Sequence, residues 1–140
     1  MNRYWIVLIG LLYFSGSSPA AEENSLSPPA AHSATKIKGV GVEEFDKLRA
    51  DKANVVLDVR TPKEFQAGHI PGALNIDLHS PDFDKRIGEL DKNKTYLVHC
   101  ASGGRSAVAC KKLGSLGFKE LFDLRPGFNG WRGAGKPVEK

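Results

Sequence analysis

The part of the sequence best suited to chemistry is a short cysteine loop, Cys-Ala-Ser-Gly-Gly-Arg-Ser, which runs from Cys100 to Ser106. An apolar segment that favours β-structure precedes it, and an alanine-rich segment typical of a helix follows it as far as Leu116. A strand that turns through glycines into a helix directs backbone N–H groups towards one point, and the helix N-terminus adds partial positive charge there. Both effects favour a thiolate, so the pattern predicts that Cys100 is a nucleophile that handles small anions.

A cysteine at the end of a strand can also be a small buried core residue without any chemistry. Gly103, Gly104 and Arg105, together with the position of the loop between a strand and a helix, favour a nucleophile instead. The glycines allow the backbone to curl without a Cβ collision, and the arginine supplies positive charge. These residues do not by themselves distinguish phosphate transfer from sulfur transfer.

The beginning of the 140-residue chain is predicted to be a targeting segment rather than part of the fold. Arg3 precedes an apolar core over residues 4–14, and small residues at positions 18–20 offer a cleavage site before Ala21. The apolar core is much shorter than the ~20 residues of a membrane-spanning helix. Residues 1–21 are therefore interpreted as a cleaved signal peptide, and the mature protein as exported without a stable membrane span.

The remaining chain is divided by its composition. Residues 22–38 are rich in Ser, Ala and Pro and predict a flexible linker, whereas residues 39–140 are enough for one compact domain, which we expect to be a monomer. The formal net charge of +4 is spread along the chain, without a Lys/Arg run interleaved with aromatic residues. Nucleic acid is therefore not an expected partner.

The second cysteine, Cys110, is predicted to be a core residue on the same helical face as Ser106 and Leu113. It would lie roughly 8 Å or more beyond Cys100 along the helix, further than the ~7 Å Cα separation that a disulfide allows. Two cysteines cannot form a tetrahedral zinc site alone, and no His-Cys spacing indicates one. Neither a metal nor a cofactor is expected.

Apolar runs and helical segments alternate along the domain, which predicts an α/β fold with a mainly parallel sheet. In such sheets ligands bind beyond the carboxyl ends of the strands, where Cys100 is expected. Thr61 is a predicted helix N-cap and Gly68 a predicted helix end. The predicted strands are 55–57, 74–76, 96–98 and 121–124, the predicted helices 42–48, 61–68, 82–90 and 106–116, and a glycine-rich tail follows.

Four segments resemble a rhodanese domain, over about residues 39–138. They are Leu57-Asp58-Val59-Arg60 with Glu64-Phe65, the run Gly-His-Ile-Pro-Gly-Ala within residues 65–76, the cysteine loop, and the closing Trp, Ala-Gly and Pro-Val within residues 130–138. The resemblance implies a five-stranded parallel sheet with helices on both faces, and with the signal peptide it implies a small periplasmic sulfurtransferase. Ser102 stands where some thiosulfate-preferring members have a basic residue, and Pro126-Gly127 where a Gly pair is usual.

The resemblance also implies a mechanism. The Cys100 thiolate would attack a small anionic sulfur donor such as thiosulfate, release sulfite, and hold a persulfide until cyanide or a thiol accepts the sulfur. Backbone N–H groups of the loop would stabilise the charge on sulfur. The loop residues expected to bind substrate are Ala101, Ser102, Gly103, Gly104, Arg105 and Ser106. Arg105 could steer the anion, or it could brace the loop through a salt bridge to a carboxylate.

The polar residues outside the loop have competing interpretations. Asp58 and Arg60 could lie at the pocket rim, but we favour a structural ion pair among Asp58, Arg60 and Glu64. His69 is interpreted as a hydrogen bonder of a Pro-Gly turn rather than a general base. His99 should point to the opposite side of the strand from Cys100. Phe128 and Trp131 are interpreted as core residues.

Two other functions remain possible at this point. A cysteine phosphatase or arsenate reductase has a similar loop but typically holds five residues between Cys and Arg, whereas four separate Cys100 from Arg105. Phosphatases also need a general acid, and the loop contains no Asp or Glu. A rhodanese-like module that binds a partner or senses redox state is the other alternative, although such modules usually lack the cysteine.

Overall fold

The computed structural model describes residues 34–140, which form five strands and five helices in alternation. The strands are β1 (Lys36–Val40), β2 (Val55–Asp58), β3 (Leu74–Asn75), β4 (Thr95–His99) and β5 (Glu120–Leu124). The helices are α1 (Val42–Arg49), α2 (Pro62–Ala67), α3 (Phe83–Gly88), α4 (Gly104–Ser115) and α5 (Gly127–Gly133). The predicted signal peptide and most of the predicted linker lie outside the described residues.

All strand pairs in the five-stranded sheet are parallel, in the order β1-β5-β4-β2-β3. This confirms the predicted fold class. The central strand is β4, which pairs with β2 on one side and β5 on the other. Both of its faces are buried, which explains why the strand reads as an apolar run without alternation. The strand that leads into Cys100 is therefore held from every side.

Helices cover both faces of the sheet and divide the core into two clusters. Phe83 and Ile87 of α3 and Leu113 of α4 belong to the cluster on one face. Phe45 of α1 and Trp131 of α5 belong to the cluster on the other face. This arrangement agrees with the helices on both faces that the resemblance implies.

The predicted start of α2 is confirmed in atomic detail. The Thr61 hydroxyl accepts a hydrogen bond from the Glu64 N–H, and the Glu64 carboxylate accepts one from the Thr61 N–H, which makes a capping box. Pro62 occupies the first turn, where its missing N–H costs nothing. The helix ends at Gly68 as predicted.

Two elements of the structure, β1 and α5, were not predicted from the sequence. Residues 36–38, assigned to the linker, form the start of β1, an edge strand whose first four residues are exposed and therefore carry no apolar pattern. The glycine-rich tail contains helix α5. The sequence pattern does not predict this helix because three of its residues are glycine, which is a poor helix former. Among residues 34–140 no helix is long and apolar enough to cross a membrane.

Candidate active site

Cys100 follows directly after the central strand β4 and points to the face covered by α3 and α4. Its side chain is buried, and it belongs to the same core cluster as Cys110. The preceding residue, His99, points to the opposite face, where its ring lies near Phe45 and Phe128. The strand alternation predicted for His99 and Cys100 is thus observed.

The loop forms a cradle around the Cys100 sulfur. The Gly103 N–H donates to Cys100 Sγ at 3.1 Å. Gly103 has a left-handed φ of 98°, and a Cβ there would collide with the Arg125 carbonyl, so the turn needs glycine. Burial is the largest influence on the Cys100 pKa and raises it, but the N–H and hydroxyl of Ser106 and the N–H groups of Ser102 and Gly103 together outweigh it. The pKa of the Cys100 thiol therefore lies below its ordinary value.

Helix α5 holds the loop from the other side, which the sequence analysis did not anticipate. The Phe128 N–H donates to the Cys100 carbonyl at 2.7 Å, and the Asn129 N–H donates to the Ala101 carbonyl at 3.0 Å. The approach is so close that a Cβ on Gly127 would collide with the Ala101 carbonyl, and Gly127 also has a left-handed φ of 62°. The Pro126-Gly127 pair thus sets the contact between α5 and the loop.

Arg105 braces the loop instead of standing free. Its guanidinium makes two parallel hydrogen bonds to the Glu64 carboxylate on α2, at 2.8 and 2.9 Å. Hydrogen bonding to Arg105, with help from Thr61 and against partial burial, lowers the pKa of Glu64 to about 2. Of the two roles considered for Arg105, the structure shows the salt bridge.

Asp58 and Arg60 form a buried ion pair. The Arg60 Nη2–H donates to Asp58 Oδ2 at 2.6 Å and to the Gly68 carbonyl at 2.8 Å, and the guanidinium lies 4.0 Å from the centre of the Phe128 ring. The predicted ion pair is observed, but the inclusion of Glu64 in it is wrong, since Glu64 is paired with Arg105.

A cavity of about 180 Å³ lies beside the loop, between α2 and α5. Arg60 and Glu64 line it from one side, Ala101 and Asn129 from the other. Asp58 is completely buried behind Arg60 and does not line this cavity, so its placement at a pocket rim is not supported. Arg60 does line it, although only 4% of the residue is exposed.

The two histidines near the site serve structure in their observed positions. His69 Nδ1 lies 3.0 Å from the Phe65 carbonyl, and its ring stacks on that of Phe65 at 3.8 Å, as the turn interpretation requires. His99 Nε2 lies 3.6 Å from Asp58 Oδ2. Burial lowers the pKa of His99 despite the opposing carboxylate of Asp58, so the ring is neutral at neutral pH.

The second cysteine is where the sequence placed it. Cys110, Ser106 and Leu113 are all buried on one face of α4. Cys100 and Cys110 are both free thiols, and burial, with a smaller contribution from Asp123, raises the pKa of Cys110 to about 12. Cys110 is therefore inert at neutral pH. In the described part of the chain no group of three or more His, Cys, Asp or Glu side chains could hold a metal ion.

Asp123 was missed by sequence reasoning. It lies on β5 with its side chain buried, and its carboxylate accepts a hydrogen bond from the Ser106 hydroxyl at 2.6 Å. Its only sequence signal is an acidic residue within the apolar segment Leu121-Phe122-Asp123-Leu124, which is costly to bury unless it has a partner.

These features define an α/β protein with a buried cysteine of lowered pKa in a loop of N–H donors at the carboxyl edge of a parallel sheet. Residues 41–134 match the rhodanese-like domain, and the chain belongs to that family.

The chain is similar to several curated proteins of this family. It is 33% identical to the sulfurtransferase of Allochromatium vinosum, with 73% of this chain and 94% of that protein covered. It is 36% identical to the thiosulfate sulfurtransferase GlpE of Pseudomonas syringae, with 70% and 90% covered. It is 33% identical to the putative sulfur carrier protein YrkF of Bacillus subtilis, of whose length the chain spans 56%.

Solved structures share the fold. The crystal structure of a rhodanese-related protein from Thermoplasma volcanium superposes with a TM-score of 0.65 at 32% identity, and the match covers 73% of this chain and 97% of that one. A rhodanese-like domain protein from Staphylococcus aureus gives a TM-score of 0.59 at 29% identity, with 67% and 90% covered.

Proposed function

We propose that the protein is a sulfurtransferase that carries a sulfane sulfur as a persulfide on Cys100. The observation that carries this proposal is the cradle itself: a buried thiol with a lowered pKa, surrounded by N–H donors at the end of the central strand. The relatives named sulfurtransferase and thiosulfate sulfurtransferase support the same class of reaction.

The proposed reaction has two steps. The Cys100 thiolate attacks the outer sulfur of thiosulfate or a similar donor, the donor S–S bond breaks, and its electron pair leaves with sulfite. Cyanide or a thiolate then attacks the outer sulfur of the Cys100 persulfide. The bond between the two sulfurs breaks, its electron pair returns to Cys100, and thiocyanate or a new persulfide leaves.

The loop residues stabilise sulfur charge in both steps. The Gly103 N–H donates to the sulfur, and the N–H groups of Ser102 and Ser106 also favour the thiolate, as the donors of an oxyanion hole favour a charged oxygen. The positive charge of Arg105 is largely matched by Glu64, so Arg105 holds the cradle in shape and contributes only a weak field to the anion. The small cradle, with four residues between Cys100 and Arg105, suits a single sulfur atom better than a phosphate.

The experiment is a thiosulfate:cyanide assay on three proteins, namely the unchanged protein, Cys100→Ser and the matched control Cys110→Ser. Cys100→Ser is expected to abolish transfer, and Cys110→Ser to retain it because Cys110 is inert. The unchanged protein is also assayed with an aryl phosphate. Near-normal sulfur transfer by Cys100→Ser would contradict the role of Cys100. Aryl-phosphate hydrolysis faster than sulfur transfer at equal substrate concentration would favour a phosphatase instead.

We also propose that the protein acts after export, in the periplasm. Support comes from the sequence alone, namely Arg3, the apolar core over residues 4–14 and the small residues before Ala21.

A further inference from the structure

Asp123 is a buried carboxyl group that the reaction steps above do not use. It lies on β5 opposite Val98 of the central strand, with 1% of its surface exposed. Its Oδ1 accepts a hydrogen bond of 2.6 Å from the hydroxyl of Ser106, the last residue of the cysteine loop. This bond connects a titratable group on β5 with a residue that stabilises the Cys100 thiolate.

The Ser106 hydroxyl has one proton and two acceptors within hydrogen-bond distance, the Asp123 carboxyl at 2.6 Å and the Gly103 carbonyl at 3.1 Å. The same hydroxyl also favours the thiolate form of Cys100. One O–H donates well to one acceptor at a time, and a carboxylate is a strong acceptor. While Asp123 is ionised, its carboxylate therefore accepts the Ser106 hydrogen bond that the Cys100 thiolate would otherwise accept.

We propose that Asp123 is a positioning residue that competes with Cys100 for the Ser106 hydroxyl proton, so that the ionisation of Asp123 sets how readily the Cys100 thiolate forms. When Asp123 is protonated, its O–H donates to Ser106 Oγ and the Ser106 O–H donates to sulfur. When Asp123 is ionised, the Ser106 O–H donates to the carboxylate, which also adds negative charge near the sulfur.

The groups that face Asp123 set its own titration. Burial raises its pKa, while the Ser106 hydroxyl and the Arg125 guanidinium act in the opposite direction. Arg125 Nε, beyond the end of β5, lies 3.5 Å from Asp123 Oδ2. From α4, the thiol of Cys110 faces Asp123 and stays neutral because its pKa is about 12. Asp123 therefore ionises at a higher pH than a surface aspartate.

Other charged or titratable groups near Cys100 do not act on its thiolate in the way proposed for Asp123. On α4, Arg105 favours the thiolate, but its charge is matched by Glu64. On β4, His99 points to the opposite face and is neutral at neutral pH. Asp123 differs from these groups because its carboxylate accepts the hydrogen bond of the hydroxyl that also favours the Cys100 thiolate.

The test is the rate of Cys100 alkylation by iodoacetamide as a function of pH, with peptide mass identifying the modified cysteine. Asp123→Asn keeps the side-chain shape and can donate to Ser106, but it carries no charge. We expect the midpoint of the profile to fall by about one pH unit. Since nucleophilicity falls with thiol pKa, the rate well below the midpoint should rise about threefold and the plateau should fall about threefold.

A double-mutant cycle separates the hydrogen-bond route from a charge effect through space. In a Ser106→Ala background, the shift caused by Asp123→Asn should shrink to less than half, because the shared hydroxyl is gone. Asp84→Asn, an exposed change of the same charge on α3, is the control and should leave the profile unchanged. An unchanged or raised midpoint in Asp123→Asn, or the same shift in both backgrounds, would overturn the proposal.

If Asp123→Asn does not fold, Asp123→Ser removes the same charge with a smaller polar side chain and has the same expected direction. The proposal rests on the proposed function only for the identity of the nucleophile. Alkylation needs neither a sulfur donor nor an acceptor. Failure of sulfur transfer would therefore leave the alkylation profile intact, and failure of the coupling would leave sulfur transfer intact.

Discussion

Gly127 offers a direct test of the contact through which α5 holds the cysteine loop. Gly127→Ala introduces two separate costs. The φ of 62° costs an alanine about 1–2 kcal/mol, and the new Cβ collides with the Ala101 carbonyl, whose position the loop and α5 both fix. We expect a total loss of about 3 kcal/mol in the free energy of unfolding, measured by urea denaturation.

Two other glycines separate these costs. Gly72 has a φ of 78° but open space around a Cβ, so Gly72→Ala should cost about 1 kcal/mol through backbone strain alone. Gly133, at the end of α5, has open space and no left-handed φ, so Gly133→Ala should leave the stability equal or slightly higher.

The catalytic readout distinguishes the loop contact from general destabilisation. A Cβ at Gly127 must displace the backbone at Ala101, and with it the N–H groups that face the Cys100 sulfur. A displacement of about 1 Å can cost on the order of a hundredfold in rate. We expect Gly127→Ala to form the persulfide at least tenfold more slowly, in a rapid single-turnover assay, while Gly72→Ala reacts normally. Equal stabilities and equal rates for Gly127→Ala and Gly72→Ala would refute this reasoning.

Three further predictions concern the salt bridge between Glu64 and Arg105, the buried ion pair of Asp58 and Arg60, and the predicted signal peptide. Pairing with Arg105 lowers the pKa of Glu64 from 4.5 to about 2, so the contribution of this carboxylate to stability is complete above pH 4.5 and is lost as the pH falls towards 2. In urea denaturation at pH 6, Glu64→Gln should be about 1 kcal/mol less stable than the unchanged protein, a value that allows for solvent screening of this partly exposed pair. Near pH 2 the two proteins should be equally stable. Asp58→Asn leaves the buried Arg60 charge unpaired and should lower the free energy of unfolding by about 3–5 kcal/mol, whereas a loss below 1 kcal/mol would contradict the buried pair. N-terminal sequencing of the native protein should begin near Ala21, and an intact Met1 would contradict export by a cleaved signal.

The sequence predicts those parts of the site that are local in the chain. The apolar runs of β2 and β4, the capping box at Thr61 and the cysteine loop depend on neighbouring residues, so pattern and spacing are enough to locate them. Strand alternation likewise separates His99 from Cys100.

What the sequence does not predict depends on distant residues. Glu64 and Arg105 are separated by 41 positions in the sequence. Glu64 has two candidate partners, Arg60 and Arg105, and both carry the same charge, so charge alone could not choose between them. Asp123 reaches Ser106 only because β5 packs beside β4. Helix α5 is concealed because Gly127 is required by a close approach to Ala101, a tertiary contact that overrides helix propensity.

The mass of the intact protein tests most directly whether Cys100 carries sulfur as a persulfide. The reduced protein is incubated with thiosulfate, freed from the donor and weighed, then incubated with cyanide and weighed again. We predict a gain of one sulfur atom that maps to the peptide containing Cys100, is lost again with cyanide, and is absent in Cys100→Ser. A protein whose mass does not change with thiosulfate, or one that gains sulfur on Cys110 instead, would contradict it.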